Sequence, residues 1–168
     1  QSLDLVSAYF VPGDEGASGL AALARRGVQV RVLTNSLAAT DVAAAHVGYA
    51  RHRAGLAAAG VTLLELPPHA APGKPARRPQ LTAARASLHA KTFVVDGHTV
   101  FIGSMNLDPR STRLNTEVGL VVHSPALAAR LRERLDLLAR EGAWQVRAIP
   151  GGGLRWDGAA PAPATVDT

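Results

Sequence analysis

Residues 3 to 66 alternate short strand-like runs with helical stretches at a cadence that few folds satisfy. LDLVSAYF reads as a strand and is stopped by Pro12 and Gly13. Residues 15 to 26 then set Leu20, Leu23 and Ala24 at helical spacing and stop at Gly27. VQVRVL (28 to 33) alternates as a second strand, and TNSLAATD is a loop in which Thr40 or Asp41 is placed to cap the next helix. That helix runs to about Ala59, stops at Gly60, and gives way to a third strand, VTLLEL (61 to 66). Strand, helix, strand, helix, strand predicts an α/β fold with a mixed, mostly parallel sheet flanked by helices.

Past Leu66 the composition changes. Residues 67 to 86 hold five prolines and four basic residues without periodicity, and read as a long mobile surface loop. LHAKTFVVD and HTVFIGS follow as two strands around Asp96-Gly97, a strong hairpin signal. TEVGLVVH (116 to 123) is a further strand, and Ser124-Pro125 opens a helix through about Arg140 with Leu127, Leu131, Leu135 and Leu138 on one face. AWQVRAI and GLRW can close a last hairpin around the GGG run. With 168 residues the expectation is one catalytic-sized domain over 1–150 and a largely disordered tail over 151–168.

The sequence contains no cysteine, which removes disulfides, thiolate nucleophiles and thiolate metal sites. It contains no run of about 18 apolar residues and no leader pattern. It starts at Gln1, inside strand-like residues, and its one methionine is Met105, so the expectation is a piece of a longer or processed polypeptide. The net charge of +5 is local: between Glu65 and Asp96 lie Lys74, Arg77, Arg78, Arg85 and Lys91 with no acid among them. Such a stretch attracts anionic lipid head groups or nucleic acid, or is simply a solvated loop.

The chemistry concentrates in SLHAKTFVVDGHTVFIGSMN, residues 87 to 106. Residues two apart in a strand share a face, so His89 and Lys91 are expected to project together. Pairing through the Asp96-Gly97 turn brings Ser104 and Asn106 to the same end of the hairpin. One imidazole, one ammonium, one hydroxyl and one amide suit a phosphoryl group: the lysine as cation, the neutral groups as donors, the histidine as nucleophile or general acid. Glu117, on the following strand, is placed to accept from His89 Nδ1 and fix its tautomer.

The spacing H-x-K-x-x-x-x-D, six residues, then G-S-x-N resembles the signature of the phospholipase D superfamily, with His89, Lys91, Asp96, Gly103, Ser104 and Asn106 filling every fixed position. At average residue usage, six fixed positions arise by chance on the order of once per million chains of this length. The flanks VSAYFVPG, VRVLTNSLAATD, GYARHRAGLAAAGVTLLEL and NLDPRSTRLNTEVGL are similar to the C-terminal catalytic half of bacterial cardiolipin synthase-like enzymes, over about residues 3 to 140. The resemblance implies an α-β-α sandwich and a phosphohistidine mechanism that needs neither metal nor cofactor. In it His89 is a catalytic imidazole, more often the acid/base than the nucleophile at this position. Lys91 and Asn106 grip phosphate oxygens, Ser104 adds a donor, and Glu117 orients His89. Asp96 belongs to the motif, and the superfamily more often uses it structurally than as a proton carrier.

Family enzymes join two such motifs at a pseudo-two-fold axis, and this sequence holds one. The second must come from a missing N-terminal half or a second copy. The resemblance thus implies a phosphatidyltransferase half that makes cardiolipin from phosphatidylglycerol, an anionic phospholipid substrate, and a peripheral position at the bacterial inner membrane, on either side. The alternatives are a homodimeric single-motif phosphodiesterase or nuclease, and a phosphate-binding module without turnover. The synthase-like flanks argue against nucleic acid as the partner.

Outside the motif, Asn35, Ser36 and Asp41 lie where a parallel strand ends, a position that often borders a site, and Asn35 is the substrate-contact candidate among them. Arg110 and Arg113 are placed to meet a second head group or to pair with Asp108. His46 and His52, with Arg51 and Arg53, read as a solvated or partly packed helix face, and Trp144 and Trp156 as packing residues.

Overall fold

The structure is a computed structural model that describes residues 1–68 and 87–158. Eight strands form one sheet: β1 (Ser2–Ser7), β2 (Gln29–Asn35), β3 (Thr62–Leu66), β4 (Lys91–Val95), β5 (Thr99–Gly103), β6 (Gly119–His123), β7 (Trp144–Ala148) and β8 (Leu154–Asp157). Their order is β6-β5-β4-β1-β2-β3-β7-β8. Helices α1 (Gly13–Arg25) and α2 (Ala43–Ala58) connect the first three strands, α3 (Pro109–Arg113) is a single turn, and α4 (Pro125–Glu141) follows β6.

The sheet is mixed, but parallel pairing is confined to β1-β2 and β2-β3, while the other five pairings are antiparallel. The physical reason is connection length. The helices α1 and α2 lie in the crossovers that return β2 and β3 parallel, whereas β4-β5 and β7-β8 are joined by short turns that allow only reversal. At the first of these turns Asp96 and Gly97 both take positive φ, +53° and +68°, as a two-residue hairpin of the expected kind requires.

Helices cover both faces. On one, Leu5, Val30, Val32 and Leu63 pack against Leu20 of α1 and Tyr49 and Leu56 of α2. On the other, Leu33 and Leu64 meet Leu135 of α4, and Val94 and Val100 meet Ala128. Ser124 caps α4 by accepting the Leu127 N–H at 3.2 Å, and Pro125 occupies the first turn. α2 departs from expectation, because it begins at Ala43 after Val42 with no side-chain cap. Thr40 instead spends its hydroxyl on the Val42 N–H, which turns the chain one step ahead of the helix.

Two further expectations change. His46 and Arg53 are buried on the inner face of α2, where Arg53 donates to Glu65 at 3.2 Å and lies 4.7 Å from the Trp156 ring centroid. A charged residue can face inward there because β3 supplies its counter-charge and Trp156 closes over it, donating to Glu65 at 3.0 Å. β8 pairs with β7 as the hairpin expected around the GGG run, and the sheet reaches Asp157. The strand expected from Thr116 starts only at Gly119. The expected loop over 67–86 lies outside the described residues from 69 onward, as does the tail from 159.

Beyond α1 the α1/α2 face of the sheet continues onto β4 and β5. Phe93 and Phe101 stack there with centroids 5.1 Å apart. Phe101 occupies the space above two glycines: a Cβ on Gly119 would lie 2.2 Å from its ring and one on Gly103 2.8 Å. At the other end of β1, Asp4 is 1% exposed and pairs with Arg31 Nε at 2.5 Å and Arg132 Nε at 3.1 Å, pinning α4 to the sheet. Removing one partner of a fully buried pair costs about 3–5 kcal/mol, and these arginines reach solvent, so Asp4→Ala is expected to cost about 2 kcal/mol. Chemical denaturation should show this as a lower midpoint with an unchanged slope.

Candidate active site

The C-terminal ends of β1 and β2, the start of β4 and the end of β5 converge at one edge of the sheet. Ser7, the last residue of β1, lies opposite Lys91, the first of β4, and Gly103 ends β5 just before Ser104. The hairpin therefore brings His89, Lys91, Ser104 and Asn106 to the same end, as its turn implied. His89 itself lies two residues ahead of β4, with an exposed side chain. Its carbonyl accepts a hydrogen bond from Lys91 Nζ at 2.9 Å.

Lys91 is 7% exposed. Burial lowers its pKa below the usual lysine value, and attraction to Glu117, Asp108 and Asp41, in that order, works the other way. Asn106 is buried, and its Oδ1 accepts the Tyr9 N–H at 3.3 Å. With the oxygen so engaged, Nδ2 is the group left to donate, and it bonds to no described residue. The chain beyond Asn106 is stitched to the end of β1: Leu107 N–H donates to Ser7 Oγ at 3.0 Å and Val11 N–H to Leu107 O at 2.7 Å. Ser7 Oγ in turn donates to Tyr9 O at 2.8 Å.

Glu117 departs from its expected place. Its carboxylate accepts from Ser104 Oγ and from Asn115 Nδ2, the latter at 3.3 Å, and makes no bond to His89. These bonds, the Ser104 one foremost, hold its pKa below the usual glutamate value. The reason is local: Ser104 and Val118 pair backbone to backbone at 2.9 Å, which carries Glu117 alongside Ser104 before it can reach across to β4. Ser104 thereby gives its hydroxyl proton to a carboxylate and accepts the Val118 N–H at 3.1 Å.

Asp96 is at the wrong end for proton transfer. Five residues of β4 separate it from Lys91's end, a span of about 16 Å at strand rise. Its carboxylate accepts the Ser2 N–H at 2.8 Å and its own N–H donates to Ser2 O, also at 2.8 Å, so it fastens the hairpin turn to the start of β1. Asn35 is no surface contact either. It is buried, with both ends of its amide engaged by the backbone of Ala8 and Leu88.

Arg110 is exposed in the first turn of α3, and its N–H bonds to Asp108, which caps that turn. Asp108 followed by Pro109 was a readable helix start. Tyr9 and Asp41 join the site without advance notice as a pair. Tyr9 Oη donates to Asp41 at 2.8 Å, and burial followed by this bond raises the tyrosine pKa. No set of three His, Asp or Glu side chains suited to a metal ion occurs among the described residues.

Comparison with known proteins gives this geometry a lineage. Residues 1–138 match the family described as "Cardiolipin synthase, PLD-like domain". Cardiolipin synthase C of Escherichia coli is 46% identical over 157 residues, 93% of this chain and 33% of that protein. Cardiolipin synthase B of the same species is 30% identical over 132 residues, 79% of this chain and 27% of that protein. The chain thus spans about a third of the length of these relatives. Among solved structures, Nuc from Salmonella typhimurium, a phospholipase D family member, superposes with a TM-score of 0.64 at 23% identity, covering 88% of this chain and 83% of that one. At that identity the likeness speaks for the fold.

The electrostatics give a direct test. Glu117 raises the Lys91 pKa and burial lowers it, so removing the carboxylate leaves burial less opposed. In Glu117→Gln the Lys91 ammonium is expected to lose its proton at lower pH than in the wild type. An NMR titration of the Lys91 Nζ or Cε signal reads the shift.

Proposed function

Because the chain belongs to the cardiolipin synthase family of phospholipase D-like domains, we propose that it is one catalytic half of a phosphatidyltransferase that makes cardiolipin from phosphatidylglycerol. The observation that carries this reading is the convergence of a buried lysine, an amide whose donor end bonds to no described residue and an exposed imidazole at one edge of the sheet. Lys91 and the Asn106 Nδ2 then neutralise and orient the non-bridging oxygens of a phosphodiester. His89 stands beside them as acid/base.

The reaction needs two imidazoles. One attacks phosphorus through a ring nitrogen as the bond to the departing glycerol oxygen breaks, and the other protonates that oxygen. The second then removes a proton from the acceptor alcohol, whose oxygen displaces the phosphohistidine nitrogen from phosphorus. His89 in the acid/base role leaves the nucleophile to a second motif.

A site of this kind is completed by the remaining length of the polypeptide. Supporting that, the chain spans about a third of its relatives, and Ile102 of β5 and Leu120 of β6, cross-strand partners on one face, are exposed apolar residues. A second reading, two copies of one single-motif chain, draws on the Nuc likeness, which covers 83% of that structure. The greater identity to the synthases favours the first.

Glu117 in this reading acts on Ser104 and, by its charge, on Lys91. The substrate is an anionic lipid, and the enzyme works at the bacterial inner membrane as a peripheral protein. No helix among the described residues is long and apolar enough to cross a membrane. Arg110, exposed on α3, is placed to meet a second head group.

In the complete protein, His89→Ala is expected to lower head-group transfer between phosphatidylglycerol molecules by at least about 10³-fold, with folding intact. Lys91→Ala should be similarly severe, because it removes both the cation and the His89 carbonyl's partner. Chromatography of the lipid products checks both, and normal turnover by His89→Ala would overturn the assignment.

A further inference from the structure

We infer that Asn35 is a positioning residue that sets the His89 imidazole relative to Asn106, a role that rests on reading this edge as a phosphoryl-transfer site. Asn35 is the last residue of β2 and is 3% exposed. Its Oδ1 accepts the Leu88 N–H at 2.9 Å, and its Nδ2 donates to Leu88 O at 3.0 Å and to Ala8 O at 3.2 Å. The two bonds to Leu88 close a ring of the kind a neighbouring strand makes with the residue opposite it. Leu88 precedes β4, so a side chain supplies what a strand partner would otherwise provide.

The next residue is His89, and its carbonyl is taken by Lys91 Nζ. The histidine backbone is therefore held on both sides while its ring remains exposed. The third Asn35 bond reaches the other arm of the site. Ala8 precedes Tyr9, whose N–H holds Asn106 Oδ1 at 3.3 Å. One buried amide thus ties the peptide before His89 to the segment that anchors Asn106. Imidazole and phosphate-binding amide keep their separation through backbone links, with no carboxylate on the ring. A displacement of about 1 Å between reacting groups can cost on the order of 10²-fold in rate.

The chemistry of the amide makes the role testable. Aspartate at this position keeps the acceptor for Leu88 N–H but lacks both donors, and turns a carboxylate toward two carbonyl oxygens. Protonation restores one O–H donor. Burial and those carbonyls favour the neutral acid and raise its pKa.

The complete protein carrying Asn35→Ala or Asn35→Asp is assayed for head-group transfer across pH, with melting temperature followed in parallel. Asn35→Ala is expected to lower kcat by about 10²-fold with KM within about twofold of wild type. Asn35→Asp should be comparably slow near neutral pH, and its rate relative to wild type should climb as pH falls. A purely structural role would leave kcat per folded molecule unchanged and that ratio flat, and either result overturns the inference. Should the wild type transfer no head group, the reaction reading fails on its own. Positioning is then read by NMR of the His89 ring during titration with inorganic phosphate. Asn35→Asp should weaken phosphate binding about tenfold near pH 7.5 and regain it at lower pH, and an unchanged affinity overturns the inference.

Discussion

Everything at this edge of the sheet depends on one register, Ser7 against Lys91. A strand has a period of two, so a slip of one residue between β1 and β4 would send Lys91 to the α4 face and Thr92 to the site. The pairing is fixed at both ends. At the turn, Asp96 exchanges bonds with Ser2, and at the site Asn35 grips Leu88. Between them Phe93 faces Leu5 in one core while Val94 faces the other, so slippage would also bury the wrong side chains. The motif aspartate thereby matters to the chemistry from the far end of the strand, as a register pin.

What was legible in the residues is what local rules decide. The turn at Asp96-Gly97, the Ser124-Pro125 helix start and the alternation of the first three strands each depend on neighbours in sequence. The hairpin brings His89, Lys91, Ser104 and Asn106 to one end of the sheet, although His89 lies ahead of β4 rather than within it. What was not legible is competition among partners distant in the chain. Nothing in the sequence says that Glu117 will meet Ser104 before His89, or that Asn35 will be consumed by backbone from two segments. The face carrying His46 and Arg53 reads as solvated or partly packed, and only the fold shows that Glu65 and Trp156 cover Arg53. The balance of parallel and antiparallel strands likewise rests on connections whose pairing partners the cadence leaves open.

The charge arrangement around Lys91 is less simple than a cation waiting for an anion. Burial works against its charge, while Glu117, Asp108 and Asp41 sustain it. All three carboxylates are themselves engaged, Glu117 by Ser104 and Asn115, Asp41 by Tyr9 and Asp108 by the first turn of α3. Their fields are therefore fixed in place and act on Lys91 without collapsing into direct ion pairs with it. In the proposed reaction an arriving phosphate meets a lysine already oriented through the His89 carbonyl, so little reorganisation remains to be done at binding.

The ring of Phe101 lying over Gly103 and Gly119 has a consequence for how this surface can change over evolutionary time. Neither glycine can acquire a side chain while the ring stays where it is, since even a methyl group at position 119 would sit 2.2 Å from it. Phe101 can shrink first at the cost of its stacking on Phe93, and that opens position 119, while position 103 stays closed because a Cβ there would also lie 2.5 Å from the Val118 carbonyl oxygen. Mutational paths across the outer strands are therefore ordered rather than free. A lineage that reshapes this face must pass through the loss of an aromatic residue before it can gain a side chain at position 119.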